Sequence, residues 1–141
     1  MQRKASARWQ GTAKEGAGSL STQSGTLKDT PYSFVARFGD GKGTNPEELL
    51  AASHAGCFTM ALSFMLNNAG FTAEAIDTEA ALTFDQVSGN WTVTAIHLTT
   101  RARVPKVDAA KFAEIAGDAK ANCPISRVLK ATTTMDAKLV S

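Results

Sequence analysis

Apolar residues recur in distinct rhythms along this chain, and each rhythm predicts a different element. From Leu49 to Leu66 they fall on nearly every side of a helical wheel, which predicts a long helix buried in a core. Its start is well marked: Asn45 suits the cap, Pro46 the first helical position, and Glu47 and Glu48 the positive end of the helix dipole. With Asn45 as cap, Glu48 takes the capping-box position and Glu47 is left for other work. The stop is expected near Asn68-Ala69-Gly70, where Gly70 can end a helix.

Shorter patterns flank this helix. Ser6 to Gln10 reads as a strand ending at Gly11, and Gly18 to Lys28 as a second with a turn or bulge at Ser24-Gly25. Pro31 to Phe38 alternates, with Phe34, Ala36 and Phe38 on one face and Val35 and Arg37 on the other, so a strand carrying Arg37 is predicted. The run Gly39 to Thr44 lacks the ending of a phosphate loop and reads as a flexible linker. Ala73 to Phe84 and Trp91 to Val104 predict paired strands joined through Asp85 to Asn90. On the second, Thr92, Thr94, Ile96, Leu98 and Thr100 share a face. After Pro105, Asp108 caps an amphipathic helix from Ala109 to about Ala121, Cys123-Pro124 opens a short helical turn through Lys130, and Thr132 to Val140 closes as a strand. Grouped strands with segregated helices make this an α+β chain.

Composition narrows the function classes. The 141 residues suit one domain spanning 1–141. Fifteen Lys and Arg stand against thirteen Asp and Glu, a formal charge of +2 that is scattered along the chain, so neither nucleic acid nor a membrane surface is an expected partner. The basic start, Met1 to Trp9, is not followed by the apolar stretch of a signal peptide. Ser53, His54, Thr59 and Ser63 interrupt the long apolar segment, which on this reading falls short of a membrane span. A cytoplasmic protein is expected. There Cys57 and Cys123 are free, metal-bound or redox-active rather than a permanent structural disulfide.

Each candidate side chain has an ordinary reading beside a chemical one. A cysteine in an apolar helix, as Cys57, is usually a small core residue. Cys123 precedes a proline at a helix start, where backbone amides favour a thiolate and a reactive role. Glu47 is ordinarily a dipole-favouring surface acid, and Arg37 a solvated strand charge. His54 and His97 lack zinc-ligand spacing to a cysteine, so no metal is expected. Ser53-His54 has no nucleophile-elbow context, which argues against a hydrolase.

The block Lys42-Gly-Thr-Asn-Pro-Glu-Glu-Leu-Leu-Ala-Ala-Ser-His-Ala-Gly-Cys57-Phe-Thr-Met-Ala-Leu closely resembles the OsmC/Ohr family, the osmotically inducible and organic hydroperoxide resistance proteins. The resemblance continues through Pro31-Tyr-Ser-Phe-Val-Ala-Arg37-Phe and Asn122-Cys123-Pro-Ile-Ser-Arg-Val-Leu129, and covers essentially the whole chain. Arg37 after Pro31-Tyr32 and the helix motif Ser-His-Ala-Gly-Cys are similar to the OsmC branch. The resemblance implies an OsmC-like fold with mainly antiparallel sheets around a long buried central helix, in an intertwined homodimer. It implies a thiol-dependent peroxidase acting on organic hydroperoxides and more weakly on hydrogen peroxide, with no cofactor. By motif position Cys57 would be the peroxidatic thiol, Cys123 the resolving thiol, and Arg37 and Glu47 the activating pair. A sulfenic acid at Cys57 would condense with Cys123 to a disulfide, which an external dithiol, on family grounds a lipoyl one, would reduce.

Two other classes use the same residues differently: a thiol redox sensor, oxidised once without turnover, and a noncatalytic stress protein binding apolar ligands beside Phe58, Met60 and Phe64. Spacing sets one further condition. Glu47 and Cys57 are ten positions apart, about 15 Å along an unbroken helix. To share a site, either the helix breaks near Ser53 or Glu47 comes from a partner chain across a twofold near Ala52.

Overall fold

Local bonds fix most of the elements. The computed structural model describes residues 1–140, and the chain gathers into two compact units, Met1–Leu49 and Leu50 onward. In the first unit β1 (Ala5–Gln10), β2 (Ala17–Thr22) and β3 (Thr30–Tyr32) form an antiparallel sheet in that order. Trp9 packs edge-on against Tyr32 with ring centroids 5.4 Å apart. Gly18 lies beneath them, where an added Cβ would meet Tyr32 at 2.4 Å and Trp9 at 2.6 Å, so no other residue fits without displacing a ring.

The predicted strand carrying Arg37 is instead the short helix α1 (Phe34–Phe38). Ser33 caps it, its hydroxyl accepting from the Ala36 N–H at 3.1 Å and its carbonyl from the Arg37 N–H at 3.0 Å. Phe34 and Phe38 pack at 4.8 Å between ring centroids. Residues 34 and 38 share a face at period two and at i,i+4 alike, so the pattern fitted both conformations. The linker expectation also fails. The Gly41 N–H donates to Val35 at 3.2 Å, the Thr44 N–H to Pro31 at 3.0 Å, and Thr44 bridges Tyr32, so Gly39 to Thr44 is tied down at several points. Gly43, at φ +106°, passes so close to the Pro31 carbonyl that a Cβ would lie 2.3 Å from its oxygen.

Helix α2 (Pro46–Asn68) is continuous, so no break occurs near Ser53. The Glu48 N–H donates to Asn45 Oδ1 at 2.8 Å, while the Glu48 carboxylate accepts from the Thr44 hydroxyl. Its other end closes as a Schellman motif: the Phe71 N–H reaches the Leu66 carbonyl at 2.9 Å and the Gly70 N–H that of Asn67 at 3.0 Å, with Gly70 at φ +90°. At 23 residues α2 is long and apolar enough to cross a membrane by length and composition, which corrects the sequence reading. Nor is it buried all round. His54, Phe58, Leu62 and Leu66 are buried, whereas Ala52, Gly56, Met60 and Phe64 form an exposed stripe on the far side.

The second unit carries the larger sheet. β4 (Ala75–Val87) and β5 (Asn90–Arg103) make a long hairpin. The expected six-residue connection shrinks to Ser88-Gly89, both at positive φ as a type I′ turn requires. A bulge opposite Thr83/Phe84 leaves Thr94 unpaired, so Phe84 faces Val93. That extra residue reverses the alternation: Ile96, Leu98 and Thr100 share one face as predicted, and it is the inner one, but Val93 replaces Thr92 and Thr94 on that side. α3 (Ala109–Asn122) and α4 (Pro124–Val128) form the crossover that lets β6 (Thr132–Val140) pair parallel to β5. Asp108 caps α3 through the Lys111 N–H at 2.7 Å. Phe112, Ile115, Ala116 and Ala119 of α3 join Phe58, Leu62 and Leu66 of α2 and Ile96, Leu98 and Ala102 of β5 in one apolar core.

Candidate active site

The four side chains singled out from the sequence form two pairs. Arg37 projects from α1 toward the first turn of α2 and holds Glu47 by its planar fork, Nη2 to Oε1 at 2.8 Å and Nε to the two carboxylate oxygens at 3.0 and 3.3 Å. The carboxylate is well covered and the guanidinium partly open, at 11% and 40% side-chain exposure.

The second pair is made by the two thiols. Cys57 is half-buried on α2, Cys123 is fully buried, and both are reduced. Cys123 is near enough to act on the Cys57 thiol. Burial pushes the Cys57 thiol up, the Ile125 backbone N–H pulls it down, and the neighbouring Cys123 raises it further, for a net rise. None of those groups is a cation. Cys123 occupies the junction of two helices: its N–H donates to the Ala119 carbonyl at 3.0 Å, closing α3, and its sulfur accepts from the Ser126 N–H at 3.3 Å, capping α4. Pro124, fixed in φ at the first position of α4, starts the new helix.

Two residues absent from the sequence reading of the site adjoin the thiols. Cys123 Sγ donates to Ser126 Oγ at 3.1 Å, and that hydroxyl lies 2.7 Å from His54 Nε2. His54 is fully buried, and burial holds its pKa below the usual histidine value. The signal that could have found both is their spacing, since each stands three positions from a cysteine in a helical segment.

An OsmC-like protein family model matches residues 39–138. Over 139 residues the chain is 50% identical to peroxiredoxin OsmC of Escherichia coli (strain K12), covering 99% of this chain and 97% of that protein. The chain belongs to the OsmC-like family. Peroxiredoxin OsmC of Shigella flexneri matches at the same 50% identity and coverage. Among solved structures, the organic hydroperoxide resistance protein OhrB of Bacillus subtilis superposes with a TM-score of 0.71 at 24% identity, over 99% of this chain and 98% of that one. An OsmC-like protein of Vibrio cholerae O1 reaches a TM-score of 0.79 at 14% identity, over 97% of this chain and 99% of that one. At those identities the structural likeness establishes the OsmC-like fold and leaves the chemistry to the site.

Proposed function

We propose that this chain, a cysteine-based peroxidase of the peroxiredoxin kind, reduces organic hydroperoxides, and hydrogen peroxide more weakly, through a Cys57 sulfenic acid that Cys123 resolves as a disulfide. The observation that carries the reading is the pair of reduced thiols, Cys57 on α2 and Cys123 at the cap of α4, near enough that Cys123 raises the Cys57 pKa. Cys57 attacks as a thiolate: its sulfur takes the terminal peroxide oxygen, the O–O bond breaks, and the alcohol leaves. The Cys123 sulfur then displaces that oxygen as water, and an external dithiol, lipoyl by family likeness, reduces the disulfide through a mixed-disulfide step.

A half-buried thiol with a raised pKa needs a cation when it attacks. Arg37, oriented by Glu47, is suited to that task, because a guanidinium stays charged and offers several donors to a thiolate and to the departing alkoxide. Since α2 is unbroken, ten helical positions, about 15 Å of rise, separate Glu47 from Cys57. The reading therefore includes a homodimer in which the Arg37–Glu47 pair of one copy serves Cys57 of the other. The exposed stripe Ala52, Gly56, Met60 and Phe64 on α2 supports it, since a row of apolar and small residues is a surface a second helix can cover.

Consumption of cumene hydroperoxide with dihydrolipoamide as reductant is the test. Turnover lost in Cys57→Ser is the expected result. A single oxidation without turnover would make the protein a redox sensor, and no oxidation would leave a noncatalytic apolar-ligand protein.

A further inference from the structure

Cys123, Ser126 and His54 form a line of hydrogen bonds that runs from the buried thiol to α2, the helix that also carries Cys57. The Cys123 S–H donates to Ser126 Oγ at 3.1 Å, and in the tautomer protonated on Nδ1 the His54 Nε2, 2.7 Å from that oxygen, accepts from the Ser126 O–H. That Nδ1 is buried and has no hydrogen-bond partner among the described residues. A histidine serving only to clasp two helices would do as well as glutamine, and a fully buried ring with one nitrogen unsatisfied is a feature that asks for a reason.

We infer that Ser126 and His54 relay the proton of the resolving thiol: Ser126 passes it from Cys123 Sγ to His54 Nε2 while Cys123 attacks the oxidised Cys57. Ser126 touches the reacting sulfur, and His54 acts through it as a positioning and proton-holding residue. This rests on the peroxidase reading above and deepens its second step. The atoms balance without a further reagent. The Cys123 S–H and Cys57 S–O bonds break, the S–S bond and a water O–H bond form, and Cys123 is oxidised by the sulfenic acid. The proton held at Nε2 goes to the leaving hydroxide. Burial suits His54 to the task, because it keeps the imidazole neutral with its lone pair available and makes the imidazolium a short-lived holder.

Single-turnover oxidation by one equivalent of cumene hydroperoxide, quenched and read by mass spectrometry, separates sulfenic acid formation at Cys57 from disulfide formation. Ser126→Ala and His54→Gln should both form the sulfenic acid but close the disulfide slower by roughly a hundredfold, with Ser126→Thr restoring closure. A peroxide-independent arm measures alkylation of Cys123 in a Cys57→Ala background, where either relay substitution should slow the reaction. Disulfide closure at the wild-type rate in His54→Gln, which can still bond Ser126 but holds no proton, reduces the histidine to a clasp and overturns the relay. Should peroxide leave Cys57 unoxidised while the relay substitutions still slow Cys123 alkylation, the peroxidase reading fails and the relay stands. Unchanged alkylation in both variants overturns the relay whatever peroxide does.

Discussion

The Arg37 guanidinium grips Glu47 through two nitrogens, Nε at 3.0 Å and Nη2 at 2.8 Å from the same carboxylate oxygen. An ion pair with one partner this exposed contributes little to stability, typically under about 1 kcal/mol. Arg37→Lys is therefore expected to separate function from folding. An ammonium is a point donor that cannot engage Glu47 and a thiolate together, and losing one charge-assisted contact costs about 2 kcal/mol, roughly thirtyfold in rate. Stopped-flow oxidation of Cys57 reads the rate, and urea unfolding should show a nearly unchanged midpoint. An unchanged rate constant would return Arg37 to an ordinary surface charge.

The two thiols should fail differently. Cys57→Ser is expected to abolish peroxidase turnover, while Cys123→Ser should still oxidise once and hold the sulfenic acid at Cys57, since the neighbouring sulfur that would displace its oxygen is gone. Mass spectrometry after one equivalent of organic peroxide distinguishes them. Retained activity in Cys57→Ser with a sulfenic acid on Cys123 would reverse the assignment.

Burial of His54 also ties stability to pH. Its folded pKa lies below the ordinary 6.5, so as pH falls through that value the unfolded chain takes up a proton that the folded chain does not. The contribution is complete above 6.5 and is lost as pH falls below it, by at most about 1.4 kcal/mol per pH unit for one proton. Urea unfolding of the wild type and His54→Gln at pH 7.5 and about pH 5.5 is the measurement. The wild type should lose more stability over that interval than the variant, and parallel losses would show that His54 is protonated in the folded protein.

What the sequence made legible was set by short-range bonds. The cap of α2 could be read because Asn45 and Glu48 are three positions apart, and the observed 2.8 Å bond joins those two residues. The junction at Cys123-Pro124 was legible for the same reason. Arg37 was placed on the wrong element because Phe34 and Phe38 fit a strand and a helix equally, and Ser33, which decides for the helix, is an ordinary residue in either. The inner face of β5 slipped at Thr94 because a bulge depends on the partner strand. The bond between His54 and Ser126 spans 72 positions, beyond any local pattern. The helix expected to be wholly buried was misread because a uniformly apolar helix needs cover on every side without stating whether its own chain supplies it.

That uncovered side gives a test of assembly. Met60 and Phe64, at 72% and 68% exposure, stand one turn apart on the outer stripe of α2. Replacing both with aspartate should turn a dimer into a monomer in sedimentation velocity while leaving the far-ultraviolet spectrum intact, because neither side chain belongs to the apolar core. A wild type that sediments as a monomer at micromolar concentration would remove the dimer from the proposal.

The decisive prediction concerns which copy of Glu47 serves which Cys57. The continuous α2 keeps position 47 about 15 Å of rise from position 57 on the same helix. If two copies of α2 cross antiparallel, position 47 of one faces position 57 of the other when the twofold lies at Ala52, midway between them. Ala52 and Gly56 are exposed there, and a Cβ added at Gly56 would meet nothing within 4 Å, so the chain leaves room for close approach. A contact of this kind is self-complementary, as a twofold dimer requires. Mixing Glu47→Ala subunits with Cys57→Ser subunits, each without activity alone, should restore about one quarter of wild-type activity: half of the dimers are mixed, and each mixed dimer has one intact site of two. Purifying the mixed dimer through two different tags should raise this to about one half. If the exchanged mixture stays inactive while mass spectrometry confirms mixed dimers, each site is built within one chain and the crossing of α2 helices is excluded as the source of its arginine–glutamate pair.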